Sequence, residues 1–330
     1  MHLRPTRPFL CILPLAMAFV FAVAAPAGAQ TVQPPYDSVY TLTDLGTVPG
    51  LPVDYGGLTF QAGNPNVIII GGDANAATGA LYSIGVVRDA QNHVTGFSGS
   101  AALFSEGQYN DGGVVFGPGG VLFYTRYPNN ELGQIKPGST TNDRVDDLTS
   151  RGVSSSVGAL NFVPAGFPGA GQLKIVSYST DEWYTASYSP DGLGTYDIGT
   201  AVLNTTIQGG PEGFIYVPPG SPIFPGASML VTEYGADVVS VYSVDGNGNP
   251  VPASRGIFID GLTGAEGAVI DPITGDFLFS TFGSVNHVIA VQGFAVPGGA
   301  VAQVPTLSFP FQVACGLILA AIAILLLRRF

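Results

Sequence analysis

The hydrophobic positions of this chain recur in short runs that are separated by glycine- and proline-rich turns. One run, which opens on a small or acidic residue and closes on a large apolar one, occurs five times. Its closing positions are separated by 56, 46, 54 and 54 residues. The chain is therefore predicted to contain five repeats of about fifty residues. The five first runs are GGLTF, GGVVF, GALNF, EGFIY and EGAVI, ending at Phe60, Phe116, Phe162, Tyr216 and Ile270.

Each first run is followed by a second apolar run, a polar turn, a third run that alternates apolar and polar positions, and in most repeats a fourth strand. The alternation is clearest in DVVSVYSVD, and a period of two is typical of a half-buried β-strand. Four short strands in about fifty residues are typical of a propeller blade. An aromatic residue closes the second run in four repeats and Asp73 stands there in the first; the four are Tyr127, Tyr178, Tyr234 and Phe282.

The predicted fold is an all-β propeller of four-stranded blades over residues 36–294. Five blades are counted, with a diverged sixth blade as the alternative, and a β-sandwich is the competing architecture. The fifth repeat has no fourth strand of its own after Phe294, whereas SVYTLTDLG at residues 38–46 belongs to no repeat. Because unpaired sheet edges invite aggregation, this N-terminal strand is predicted to complete the last blade.

The first 29 residues have the three parts of a secretory signal peptide. Arg4 and Arg7 form a basic start, and an apolar stretch follows. Ala27 and Ala29 supply the small residues of an A-x-A site for signal peptidase. Residues 1–29 are therefore predicted to direct export and to be removed, and a retained N-terminal membrane helix is the alternative.

The charge of the exported part is strongly acidic. Four of the 11 Lys and Arg residues lie in the terminal segments, so seven basic residues remain against 23 Asp and Glu. Such a surface repels nucleic acid, and no nucleic-acid partner is expected. Cys11 and Cys315 are the only cysteines and lie in the apolar terminal segments. The exported domain therefore has no disulfide or thiolate metal site, and its stability must come from a hydrophobic core.

Candidate chemistry lies in acidic residues at the start of the first runs. Glu212 and Glu266 replace glycine at the same aligned position in repeats four and five, and Asp111 stands one residue earlier in repeat two. The first run is predicted to be innermost, because small residues are needed where blades converge. The three carboxylates would then meet at one channel mouth and bind a hard cation such as Ca²⁺. Solvated positions at loop–strand junctions are the alternative for these three. Asn161 and Asp271 are weaker companions, because the alternation of a strand can point either side chain away from the axis.

Other motifs favour structural roles. DGNGNP, from Asp245, resembles the start of a calcium loop but lacks the required Gly and Glu, so a hairpin turn is predicted. Trp183 is assigned to packing between blades, with a sugar-stacking platform as the alternative. His93 and His287 belong to no nucleophile motif, and the sequence contains no G-x-S-x-G, H-E-x-x-H or P-loop pattern.

The repeats resemble a broad group of exported bacterial β-propellers with NHL-type, lactonase-like and gluconolactonase-like blades. The phrases SMLVTEYGADVVSVYSVDGNGNP and AVIDPITGDFLFSTFG carry this resemblance. It implies the fold rather than an activity. The group includes Ca²⁺-dependent lactonases whose ligands are a channel Glu with Asn and Asp. The resemblance implies Glu212 or Glu266 for the Glu role, and no motif in this chain matches the remaining ligands.

The C-terminal segment, residues 304–330, resembles the PEP-CTERM class of sorting signals and more closely its IPTL-CTERM variant. It combines a short proline motif, an apolar stretch at residues 309–327 and a basic end. The apolar stretch would be about 28 Å long as a helix, close to the roughly 30 Å of a membrane core. Residues 295–303 are predicted to be a flexible linker. The motif residues are Val304, Pro305, Thr306, Leu307 and Ser308, with Arg328 and Arg329 at the end.

This resemblance implies delivery through the cell envelope of a Gram-negative bacterium. The protein would be exported, anchored transiently in the inner membrane by a C-terminal transmembrane helix, and cut near the proline motif by an exosortase. The product would reside at the cell surface, in the outer envelope or in the extracellular matrix. A plain membrane anchor, with the two final arginines in the cytoplasm, is the alternative.

Two functions remain open from the sequence. The first is a non-enzymatic, surface-sorted propeller that acts as a binding or extracellular-matrix module for an unknown protein, glycan or small molecule. The second is a Ca²⁺-dependent lactonase or hydrolase with its site at the channel mouth, and Ca²⁺ is the one cofactor considered. Convergence of at least three of the five candidate oxygen ligands on one point would favour the second, and scattered side chains would exclude it.

Overall fold

Five β-sheets form the blades of a propeller in the computed structural model, which describes residues 30–297. In every blade the strands follow one another in antiparallel order, and the first strands contact one another around the centre. The prediction of a propeller with five four-stranded blades is confirmed, and no sixth blade lies within residues 30–297. The predicted signal helix and C-terminal membrane helix lie outside the described residues. Within the described part, no helix is sufficiently long and apolar to span a membrane.

The strands are numbered in chain order. Two N-terminal strands, Thr31–Val32 (β1) and Thr41–Asp44 (β2), precede blade one, which consists of Leu58–Gln61 (β3), Asn64–Gly72 (β4), Ala80–Arg88 (β5) and Val94–Glu106 (β6). Blade two consists of Asn110–Phe116 (β7), Leu122–Arg126 (β8), Glu131–Ile135 (β9) and Arg144–Asp147 (β10). Blade three consists of Val157–Phe162 (β11), Leu173–Ser177 (β12), Glu182–Pro190 (β13) and Tyr196–Thr206 (β14).

The last two blades complete the ring. Blade four consists of Pro211–Val217 (β15), Ser228–Glu233 (β16), Val238–Ser243 (β17) and Gly256–Asp260 (β18). Blade five contains Ala265–Ile270 (β19), Phe277–Thr281 (β20) and Val288–Gln292 (β21). The helices of the described part are five short 3-10 turns, at Tyr36–Ser38, Pro118–Gly120, Thr149–Arg151, Tyr234–Ala236 and Pro252–Ser254.

The start of the chain supplies the outer strand of blade five. β2 pairs antiparallel with β21, with Thr41 opposite Gln292. The seam between blades five and one also carries an ion pair and a histidine–carboxyl contact at its turns. Arg88 on β5 reaches Asp271 after β19, and His93 Nδ1 lies 2.6 Å from Asp276 Oδ2. Blade five is therefore completed by hydrogen-bonded strands and joined to blade one by side-chain contacts.

Blade four has a fifth strand that the hydrophobic pattern did not predict. β1 pairs with β18, so the ordered fold begins upstream of residue 36. The segment between β1 and β2 then packs its aromatic residues against blades four and five. Tyr40 lies 5.5 Å from Phe258 and 4.4 Å from Phe294 between ring centroids, and Phe294 stacks on Phe277 at 4.0 Å. A strand of two residues is too short to show a period, which explains why it was missed.

Glycine at the second position of the first runs allows the innermost strands to converge. A Cβ atom on Gly57 would lie 2.4 Å from the carbonyl oxygen of Gly112, and one on Gly213 would lie 2.5 Å from that of Glu266. Interiors packed at this density leave no room for even one added methyl group. The close approach of the strands narrows the centre of the propeller, and it brings Asp111, Glu212 and Glu266 within reach of one another.

Candidate metal centre

Three carboxyl groups meet at the centre of the propeller. Asp111 lies on β7, Glu212 on β15 and Glu266 on β19, and each offers one oxygen to a cluster in which these atoms lie within 4.8 Å of one another. All three side chains are buried, with exposed fractions of 1%, 5% and 2%. The convergence predicted for these three residues is therefore present in the structure.

Irregular strand pairing aims the three side chains inward. The pairing of each innermost strand with the second strand of its blade shifts register beside the acidic residue. A β-bulge of this kind redirects a side chain without ending the strand. The register shifts fall between Asn110 and Val114, between Pro211 and Gly213, and between Ala265 and Ala268.

The carboxyl cluster has unmet hydrogen-bonding capacity. One oxygen of each group, Asp111 Oδ2, Glu212 Oε2 and Glu266 Oε1, has no hydrogen-bond partner within residues 30–297. Asn75 contributes one contact, because its amide nitrogen donates to Asp111 Oδ1 over 3.1 Å in the orientation that satisfies the amide. An unpaired buried oxygen is costly, so the cluster requires protons or a cation.

Burial decides how the cluster is charged. It raises the pKa of Asp111 to about 8, against an ordinary value of 3.8. Burial, and after it the negative charge of Asp111, raises the pKa of Glu212 and of Glu266 well above the usual range. Near neutral pH the cluster therefore retains protons unless a cation takes their place.

The donor set fits a hard divalent cation. Three carboxylate oxygens converge on the centre, and such hard donors are ligands of Ca²⁺ rather than of soft transition metals. Asp111, Glu212 and Glu266 would hold the ion through their unpaired oxygens. A bound Ca²⁺ would supply a fixed positive charge at the base of the channel.

The two weaker candidates do not join the cluster. Asn161 donates through Nδ2 to the carbonyl oxygen of Phe214 over 3.0 Å, and its Oδ1 accepts from the backbone N–H of Phe162. Asp271 binds Arg88 and the backbone N–H of Ile273. Asn161 therefore contributes to packing between blades, and Asp271 stabilises a turn and its contact with the neighbouring blade. Asn75, by contrast, was not anticipated, because it lies in the loop before β5 and belongs to no first run.

The remaining candidates have structural roles. Trp183 is fully buried and lies 4.4 Å from Phe214 between ring centroids, so the prediction of packing between blades three and four is confirmed. The hairpin prediction for DGNGNP is also confirmed, since Asp245 Oδ1 accepts from the backbone N–H groups of Asn247 and Asn249. His287 Nδ1 lies 2.8 Å from Asp44 Oδ2 and so links β21 to β2.

Four aromatic side chains form a ring at the same end of the propeller as the carboxyl cluster. Each follows the second strand of its blade, whose last residue pairs with the start of the first strand. Neighbouring ring centroids are 6.1 Å apart at all three contacts, with interplanar angles of 90°, 75° and 69°. All four side chains are half-buried. This aromatic collar consists of Tyr127, Tyr178, Tyr234 and Phe282.

Comparison with known proteins gives general similarity of fold. None of the known protein families and none of the curated proteins matches the sequence. Among solved structures, calcium-binding regucalcin from Agrobacterium tumefaciens is 14% identical with a TM-score of 0.44, covering 79% of this chain and 96% of its own. The glutaminyl cyclase of Myxococcus xanthus is 11% identical, with a TM-score of 0.44 and coverages of 77% and 96%. The PQQ domain of Coprinopsis cinerea pyranose dehydrogenase is 8% identical, with a TM-score of 0.44 and coverages of 80% and 97%. These values are too low to transfer a function to this chain.

Proposed function

We propose that this protein is an exported β-propeller that binds a divalent cation, with Ca²⁺ as the first candidate, at the base of its channel. The observation that carries this proposal is the cluster of Asp111, Glu212 and Glu266, three buried carboxyl groups that each retain an unpaired oxygen. A buried group of three carboxylates is unstable without compensating positive charge. The cation would anchor a ligand at the channel mouth, which makes the protein a binding module.

Ca²⁺ is expected to stabilise the protein through this cluster. Binding to the folded state alone raises the unfolding free energy by about 2.7 kcal/mol at a free Ca²⁺ concentration of 100 times Kd. The measurement is the Tm of the purified full chain at pH 8, titrated with CaCl₂ from micromolar to millimolar concentrations. The variant Glu212→Gln, which removes one negative ligand, is expected to lose most of the shift.

The matched control is Asp37→Asn, which removes one carboxylate at an exposed position in the first 3-10 turn. Its Ca²⁺-dependent shift should equal that of the unmodified protein. An absence of any Tm shift at millimolar Ca²⁺, or an equal shift in Glu212→Gln, would show that the cluster is not a Ca²⁺ site.

A second candidate function is Ca²⁺-dependent hydrolysis of a lactone or ester. It is favoured by the convergence of Asp111, Glu212 and Glu266 on one point, since an ion held there polarises a carbonyl group. Release of acid from a simple γ-lactone, dependent on Ca²⁺ and lost in Glu212→Gln, supports this candidate. A protein that binds Ca²⁺ but releases no acid from the lactone is a binding module rather than a hydrolase.

We propose further that the termini deliver the propeller to the cell envelope. The support is the sequence pattern at each end: a signal peptide over residues 1–29, and at 304–330 a proline motif, an apolar stretch and two final arginines. Signal peptidase and an exosortase would be the processing partners.

Mass spectrometry of the mature protein from a Gram-negative host that encodes an exosortase tests this delivery. We expect an N-terminus at Gln30 and a C-terminus close to Val304–Ser308. The matched control is the same gene in a host without an exosortase, in which the C-terminal segment should remain. An intact Phe330 in both hosts would contradict the sorting proposal and favour a plain anchor.

A further inference from the structure

We propose that the aromatic collar binds the ammonium group of an organic cation above the carboxyl cluster. The inference rests on the proposed function, because it takes the cluster of Asp111, Glu212 and Glu266 to be a centre for positive charge. It adds a second, organic ligand, the chemistry of which is set by Tyr127, Tyr178, Tyr234 and Phe282.

The spacing of the collar fits a cation on the channel axis. The four rings follow the second strands of four consecutive blades, and the three distances of 6.1 Å between them correspond to three of the five sides of a pentagon. A regular pentagon with this side has its corners about 5.2 Å from its centre, within the roughly 6 Å from a ring centroid over which a cation above the ring face is attracted. A single ammonium group on the axis would thus lie in range of four rings at once.

In blade one, the sequence position that corresponds to the aromatic residues is acidic. Asp73 follows β4 in blade one, at the place that the aromatic residues hold in the other blades. Thr78 donates a hydrogen bond to its Oδ2 atom, which holds the carboxylate at the loop. The faces of four aromatic rings attract a positive group, and a nearby carboxylate in blade one acts in the same direction.

The collar and the cluster form one electrostatic unit. Burial raises the pKa of Tyr178, and the negative charge of Glu212 raises it further. Burial likewise raises the pKa of Tyr234, and the negative charges of Glu266 and Glu212 add to this effect. Tyr178 and Tyr234 therefore stay neutral and keep electron-rich rings. One divalent cation leaves a single negative charge on three carboxylates, and a monovalent ammonium group above it balances that charge.

The positive charge of the ligand is the feature to test. Choline serves as the probe, and 3,3-dimethylbutan-1-ol, which has the same shape without charge, is its matched control. We expect choline to bind the full chain in isothermal titration calorimetry at pH 8 with millimolar Ca²⁺, and the alcohol to bind at least about tenfold more weakly. Equal binding of the two, or no binding of choline, would overturn the proposal.

Variants at the middle of the collar assign the binding to the aromatic rings. Tyr234→Leu is expected to weaken choline binding by about tenfold, whereas Tyr234→Phe, which retains the ring, should remain within about twofold. Unchanged choline affinity in Tyr234→Leu would contradict the collar as the site. The Ca²⁺-dependent Tm shift should persist in Tyr234→Leu, so a chain that binds Ca²⁺ without choline refutes this inference alone. A chain without a Ca²⁺ shift refutes the proposed function.

Discussion

In Ca²⁺-free buffer, the protein is expected to lose stability steadily as the pH rises from about 5 to 8. Asp111 has a pKa raised to about 8 in the folded protein, against 3.8 ordinarily, and Glu212 and Glu266 are raised as well. At pH values between the ordinary and the raised pKa of these groups, the folded state holds protons that the unfolded state has released. The unfolding free energy therefore falls with increasing pH. One pKa unit corresponds to about 1.4 kcal/mol. The unfolding free energy is therefore expected to fall by several kcal/mol between about pH 5 and 8.

Urea unfolding at pH 5, 6, 7 and 8, with chelator and with millimolar Ca²⁺, measures this dependence. Millimolar Ca²⁺ should reduce the fall of the unfolding free energy with pH, because Ca²⁺ replaces the protons of the cluster. The triple variant Asp111→Asn, Glu212→Gln, Glu266→Gln should show a much smaller fall in the same range. A rise in stability towards pH 8 without Ca²⁺, or a fall equally steep in the triple variant, would show that the three groups do not share buried protons.

The window ends at pH 8 because a buried lysine acts in the opposite direction above it. Burial lowers the pKa of Lys174 to about 8, while its Nζ atom donates to Gln172, Thr185 and Asn249. Between about 8 and its ordinary 10.5, the unfolded state holds the proton and the folded state does not. The lysine therefore adds stability with rising pH above 8 and would mask the effect of the carboxyl cluster.

Removal of the guanidinium group in Arg255→Met is expected to destabilise the protein by about 3–5 kcal/mol, the usual cost of leaving a buried charge without its partner. Glu233, at the end of β16, is fully buried. Arg255 Nε lies 2.9 Å from its Oε1 atom, and Tyr242 donates to the same oxygen over 2.7 Å. Without Arg255, the carboxylate of Glu233 would retain only the tyrosine. The change in urea midpoint at pH 7 measures the loss.

The matched control is Lys136→Met, which breaks the ion pair of Lys136 with Asp143 at a half-exposed site. Exposed pairs contribute at most about 1 kcal/mol, so this change should be small. The double variant Glu233→Met, Arg255→Met should recover part of the loss, because no buried charge remains. Equal effects of Arg255→Met and Lys136→Met would show that Glu233 is not held by Arg255 in the folded state.

Much of the architecture follows from local pattern. The period of two in the third strands, the glycine steps of the first runs and the spacing of about fifty residues predicted five blades, and the structure contains five. The carboxyl cluster was predicted by a related route, since equivalent positions in repeats must lie on one ring. Glu212 and Glu266 share such a position, and Asp111 precedes it by one residue.

The sequence by itself thus determined the class of fold, the order of the strands and the convergence of the acidic residues Asp111, Glu212 and Glu266, because repeat position places a residue on the ring. Only the tertiary structure decided which oxygen ligands meet. Asp111 joins the glutamates through register shifts beside the innermost strands, whereas Asn161 and Asp271 bind their neighbours instead. These contacts extend over a few ångströms between segments that are far apart in the chain, so no local pattern of residues predicts them.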